Sequence, residues 1–167
     1  MAAKQGLDLG GSLEARIESR EGATWVGLSG DITEAAKLDE LLRLPGPMRI
    51  DLGGIRLINS LGVRAWYQFV GRAEAAGTAI TVERLAPVMV SQISMIKGFM
   101  GSRTRVASIL VPYFCQSCGT DDTKLFEVRP GVPLDVPGTS TCPKCKGLTV
   151  LDELETMYPT LFDQRAR

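Results

Sequence analysis

The sequence predicts an α/β fold: a mixed sheet covered by helices, followed by a small β module with a terminal helix. Three observations lead there. From Leu13 to Phe99, apolar residues recur alternately at strand and helix spacing. Turn-forming Gly and Pro fall between the blocks, as at Pro45-Gly46-Pro47 and Gly77. Beyond residue 112 large apolar side chains become sparse, and two Cys-x-x-Cys pairs appear.

Residues 1–12 are polar and glycine-containing and read as a flexible N-terminus. Residues 13–18 alternate apolar and charged, as a half-buried strand does, and 24–29 supply its partner across a Glu21-Gly22 turn. Thr33 is a suitable N-cap for a helix over 34–44, with Leu38, Leu41 and Leu42 on one face. Residues 48–52 form a short central strand. Asn59-Ser60 caps a long helix over about 61–76 that ends at Gly77. A strand over 78–83 follows, then a Met-rich helix from Pro87 to about Phe99. Residues 106–114 read as one strand running into the first cysteine pair. The expected division is therefore a domain over 13–112 and a module over 113–167.

Composition excludes several functions. Among 167 residues, 19 basic side chains balance 19 acidic ones, so no global field attracts nucleic acid or an acidic membrane. Residues 113–167 carry 6 basic and 8 acidic side chains, a poor polyanion binder. The absence of histidine removes the commonest general base and any Ser–His or Cys–His nucleophile, so no catalysis is expected. No run approaches a membrane span of roughly 18–20 apolar residues, and the N-terminus lacks a signal-peptide core. A cytoplasmic location is expected, where thiols stay reduced.

Cys115-Gln116-Ser117-Cys118 and Cys142-Pro143-Lys144-Cys145 are separated by 23 residues. Two such pairs bring four soft thiolates into a tetrahedron, which suits zinc. Cys115, Cys118, Cys142 and Cys145 are thus the expected ligands of one structural zinc per chain, in a zinc-ribbon-like module. Four cysteines close the coordination shell, leaving no position for water or substrate. The module is also too small to fold well on its apolar side chains alone. Two other readings use the same residues: a rubredoxin-like iron electron carrier, and a nucleic-acid-binding zinc ribbon, which the acidic second half disfavours.

The segments Val26-Gly27-Leu28-Ser29-Gly30-Asp31-Ile32-Thr33, Met48 to Leu52, and Ile58-Asn59-Ser60-Leu61-Gly62-Val63 resemble the STAS domain. That family includes anti-sigma factor antagonists and the tails of sulfate transporters. The resemblance spans about 13–112. It implies a small sheet covered by helices, no catalysis, and binding to a protein partner such as a switch-protein kinase, an anti-sigma factor or another STAS protein. It places a phosphoacceptor serine at Ser60. Asn59 stands where many members carry Asp, and Thr33 where many carry an acid.

Val63, Trp66, Tyr67 and Val70 recur at i, i+3, i+4 and i+7 and are expected to face the core. The expected partner face then comprises Thr33, Asn59, Ser60, Leu61, Ala65 and Phe69.

Overall fold

The computed structural model describes residues 4–152 and 158–162. Two sheets with a few helices make a mixed α/β architecture. The first sheet has six strands: β1 (Gln5–Asp8), β2 (Glu14–Arg20), β3 (Ala23–Ile32), β4 (Met48–Ile58), β5 (Ile80–Glu83) and β6 (Arg105–Val106), in that spatial order. The β1–β2 and β2–β3 pairs are antiparallel, whereas β3 to β6 run parallel. Parallel neighbours need crossovers. These carry a short 3₁₀ segment (Leu38–Arg43), α1 (Ser60–Ala75) and α2 (Pro87–Met95).

Burial alternates along β2 and β3, so one face of the sheet packs and the other does not. On the packed face, Val26, Leu28, Ile50 and Val82 meet Trp66, Phe69 and Val70 of α1 and Met89 and Val90 of α2 in one hydrophobic cluster. The Trp66 and Phe69 ring centroids lie 5.6 Å apart.

Several expectations are corrected. Residues 1–12 are not wholly a flexible tail: 5–8 form an edge strand, and Leu9 is fully buried behind it. The expected helix over 34–44 is instead a 3₁₀ segment over Leu38–Arg43. With three residues per turn, positions i and i+3 eclipse, so Leu38 and Leu41 are buried together. Thr33 caps only a local turn, its Oγ1 accepting from the Ala35 N–H at 3.3 Å. The strand read as 48–52 continues to Ile58 through Gly53-Gly54, with register shifts against β3. The Met-rich helix stops at Met95.

The largest difference concerns 106–114, which is not one strand. Arg105–Val106 ends the first sheet, the chain turns at Ala107, and β7 (Ser108–Cys115) begins a second. This antiparallel sheet has the order β8-β7-β10-β9, with β8 over Asp121–Glu127, β9 over Thr139–Thr141 and β10 over Leu148–Leu151. Backbone bonds lock the corner: Ala107 N–H to Val82 O (2.8 Å), Leu110 N–H to Leu85 O (2.9 Å) and Val128 N–H to Ala107 O (2.9 Å). Ile109, Val111 and Tyr113 join the same hydrophobic cluster as the first sheet. The described part of the expected terminal helix is α3 (Tyr158–Leu161), with Tyr158 buried. Leu154 and Met157, also read onto that helix, lie outside the described residues.

Candidate functional site

Along β7 the buried positions include Ile109, Val111, Tyr113 and Cys115, every second residue. Cys115 thus continues the apolar row of its strand, but ends it with a thiol. The chain then turns back on itself, with Gly119 N–H bonded to Cys115 O at 2.9 Å, and places Cys118 beside Cys115. The second pair repeats this turn: Lys146 N–H bonds Cys142 O at 3.1 Å, and Cys142 N–H bonds Gly147 O at 2.9 Å. In both turns the residue after the second cysteine has positive φ, 69° at Gly119 and 64° at Lys146. The lysine adopts the backbone shape the glycine adopts, so its presence does not break the pattern. Gly147 has a different reason to be glycine. A Cβ there would lie 2.5 Å from Ser117 Oγ, so a larger residue would force the Ser117 side chain of the first turn to shift.

The result is a quartet of sulfurs, all within 4.8 Å of one another. Cys115 and Cys145 Sγ are 3.5 Å apart, and Cys118 and Cys142 Sγ are 3.8 Å apart. These are not disulfides, which need about 2.05 Å. A tetrahedral ion with metal–sulfur bonds of about 2.3 Å requires sulfur–sulfur edges of about 3.8 Å. The four cysteines therefore can hold a metal ion. Cys115 and Cys142 are buried, while Cys118 and Cys145 face outward.

Without a cation the four thiols cannot ionise together. The Thr120 hydroxyl and backbone N–H draw Cys118 down to about 6. At Cys145 the Gly147 N–H pulls downward, but the Cys115 and Cys118 thiols and burial push it up to about 11. A divalent ion held by all four would remove that conflict, since a coordinating thiol is deprotonated outright and only a net charge of about −2 is left. Gly147 N–H also points at Cys145 Sγ, 3.4 Å away, a donor that stabilises a thiolate.

A second cluster forms where β3 ends and α1 begins. Asn59, not Ser60, is the N-cap: its Oδ1 accepts from Gly62 N–H at 2.8 Å. Its Nδ2 donates to Glu34 Oε2 at 2.9 Å, and this bond holds the Glu34 carboxyl below the usual carboxylate range. Asn59 N–H bonds Ile32 O at 3.2 Å. A Cβ on Gly62 would sit 1.9 Å from the same carbonyl, so α1 can approach β3 only with glycine there. The segments 26–33 and 58–63 are thus brought together in space. Ser60 and Leu61 are exposed, and Thr33 and Ala65 are half-buried.

The expected partner face is corrected at Phe69, which is fully buried. The buried side of α1 is Gly62, Trp66, Phe69, Val70 and Ala73, while Tyr67, expected inside, is 53% exposed. The helix is rotated about one residue from the expected phase. Gly62 carries no hydrophobic signal, yet it faces the sheet because the close approach to Ile32 demands it. The Asn59–Glu34 bridge was not foreseen; an amide at a helix start with an acid in the preceding loop was its only trace in the sequence.

No protein-family model matches the chain, and no curated protein matches it. No helix among the described residues is long and apolar enough to cross a membrane.

Proposed function

We propose that this chain is a non-catalytic, cytoplasmic signalling or scaffold protein. It binds a partner protein through the α1 N-terminus and carries one structural zinc on Cys115, Cys118, Cys142 and Cys145. The observation that supports the binding role is the pairing of exposed Ser60 with Leu61, whose side chain is 53% exposed, at the start of α1. Leu57, near the end of β4 and just ahead of the helix, is also exposed. The partner surface so drawn comprises Thr33, Asn59, Ser60, Leu61 and Ala65. Two of the three segments that resemble the STAS domain, 26–33 and 58–63, lie at this surface, and the partner classes implied by that resemblance are a switch-protein kinase, an anti-sigma factor or another STAS protein.

Ser60 is read as a phosphoacceptor. It stands in the first turn of α1, where unpaired N–H groups and the helix dipole favour an anion, so the fold tolerates a phosphate there. The same phosphate sets a charge of about −2 beside Leu61 and opposes apolar docking. Affinity capture with wild-type protein, Leu61→Asp and Ser60→Asp tests this reading. A partner retained by wild type and lost from both variants, with melting temperatures unchanged, is the expected outcome. Retention of the same proteins by all three contradicts it.

The reading of the four-cysteine site as a zinc-ribbon-like module rests on sulfur spacing and a closed ligand set. Zinc serves there as a structural clamp, not as a Lewis acid, since no ligand position is left open.

A further inference from the structure

A groove of about 930 Å³ crosses the uncovered face of the first sheet, lined by residues of β1 to β4 and by Arg84. Its floor is a single row in register across four strands: Gly6, Arg16, Gly27 and Asp51. Sterics force neither glycine, although Gly27 adjoins a register shift of β3 against β4. Neither takes a positive φ. A Cβ on Gly6 meets nothing within 4 Å, and one on Gly27 meets only the Arg16 carbonyl oxygen at 4.0 Å. Other glycines of this sheet are obligatory: a Cβ on Gly30 would lie 2.0 Å from Ser12 O, and one on Gly54 would lie 2.6 Å from Leu28 O. Unforced glycine inside a strand weakens it and marks a place where something else approaches the backbone. A valine at 27 would suit the strand better and would fill the groove.

The charges around the floor point to what approaches. Glu18 pairs with Lys4 and Arg20, and Asp51 pairs with Arg84. Arg16, standing between the two glycines, is exposed and makes no side-chain hydrogen bond or ion pair among the described residues. In the groove wall the Trp25 indole N–H is buried without an acceptor. Arg16 is thus the donor that the floor presents to the groove without an acceptor. The Trp25 ring itself is covered by the Arg20 and Arg49 guanidiniums, at 5.4 and 4.6 Å from its centroid.

We propose that this groove binds a small organic oxyanion, a carboxylate or a phosphate ester, whose oxygens meet Arg16 while its body lies over Gly6 and Gly27. The groove has the size of a small-molecule site, about 300–1,000 Å³. A guanidinium is the side chain best shaped for a planar or tetrahedral oxyanion. Glu14, two residues from Arg16 on the same exposed side of β2, opposes such a ligand. This site is separate from the α1 surface and does not depend on the reading given to it.

Isothermal titration calorimetry on the full chain, with ATP and citrate as probes, tests the proposal. Binding of at least one probe with unit stoichiometry is expected. Arg16→Ala should weaken it about tenfold or more, Gly27→Val should weaken it similarly without lowering the melting temperature, and Glu14→Gln should tighten it. Binding of ATP alone assigns phosphate esters, citrate alone assigns carboxylates, and both assign the oxyanion as sufficient. Absence of binding by either probe at millimolar concentration overturns the proposal. So does an affinity that Arg16→Ala leaves unchanged; that side chain is exposed, so the variant keeps its fold.

Discussion

The two sheets differ in how much apolar surface they bury. In the first, Ile50, Leu52, Val82, Trp66 and Phe69 are essentially free of solvent, and the helices seal one face. In the second, the shared core extends through Tyr113, Val128, Leu134, Val136 and Tyr158, but the outer face is open. Ile109 and Val111 share the first sheet's core, but Phe114, Leu125 and Leu148 stand 40%, 55% and 51% exposed. At the far end Cys115 and Cys142 occupy the positions where buried aliphatic side chains would otherwise sit. The hydrophobic effect scales with area removed from water, so the more open sheet gains less from it. A metal bond is local and strong and needs no second layer. Backbone bonds at Ala107 tie the two sheets together just ahead of the expected boundary near residue 112.

The largest expected effect sharpens that contrast. Metal binding contributes folding free energy on the order of 10 kcal/mol or more at such sites. Chelation, or Cys118→Ser, should abolish amide protection in β9, β10 and the Cys115 end of β7. The first sheet, together with Ile109 and Val111, should keep its protection. Hydrogen exchange read by mass spectrometry checks this; uniform loss across both sheets would mean that they share one source of stability.

Next comes the core side of the comparison. Phe69→Ala removes a fully buried ring packed near Trp66 and should cost about 3–5 kcal/mol in urea unfolding. Tyr67→Ala, on the outer side of the same helix and half exposed, should cost far less. Equal losses would restore the helix phase inferred from periodicity.

That phase shows where the sequence was readable and where it was not. The cysteine pairs were legible because their chemistry is local: two residues between thiols dictate the turn, whatever lies around it. The sheet and its long helix were legible from alternation and from Asn59-Ser60. The face of α1 was not, because its orientation is fixed by a contact between Gly62 and Ile32 that no hydropathy pattern records. The edge strand Gln5–Asp8 was hidden too, since its glycine and exposed polar residues resemble a tail, and only pairing with β2 makes it a strand. Likewise the break at Ala107 falls inside the mostly apolar stretch 106–114, where alternation cannot reveal it.

A smaller effect separates the two candidate caps. Asn59→Ala removes the bonds to Gly62 and Glu34 and should lower stability by about 1 kcal/mol. Ser60→Ala removes neither and should leave the denaturation midpoint unchanged. The reverse order would make Ser60 the cap and weaken the case that its hydroxyl is free for modification.

The most direct test is the metal itself. Elemental analysis and X-ray absorption on protein purified without added metal should find one zinc per chain bound by four sulfurs at about 2.3 Å. Iron in that position, or a metal-free protein whose β9 and β10 remain protected from exchange, would contradict the account.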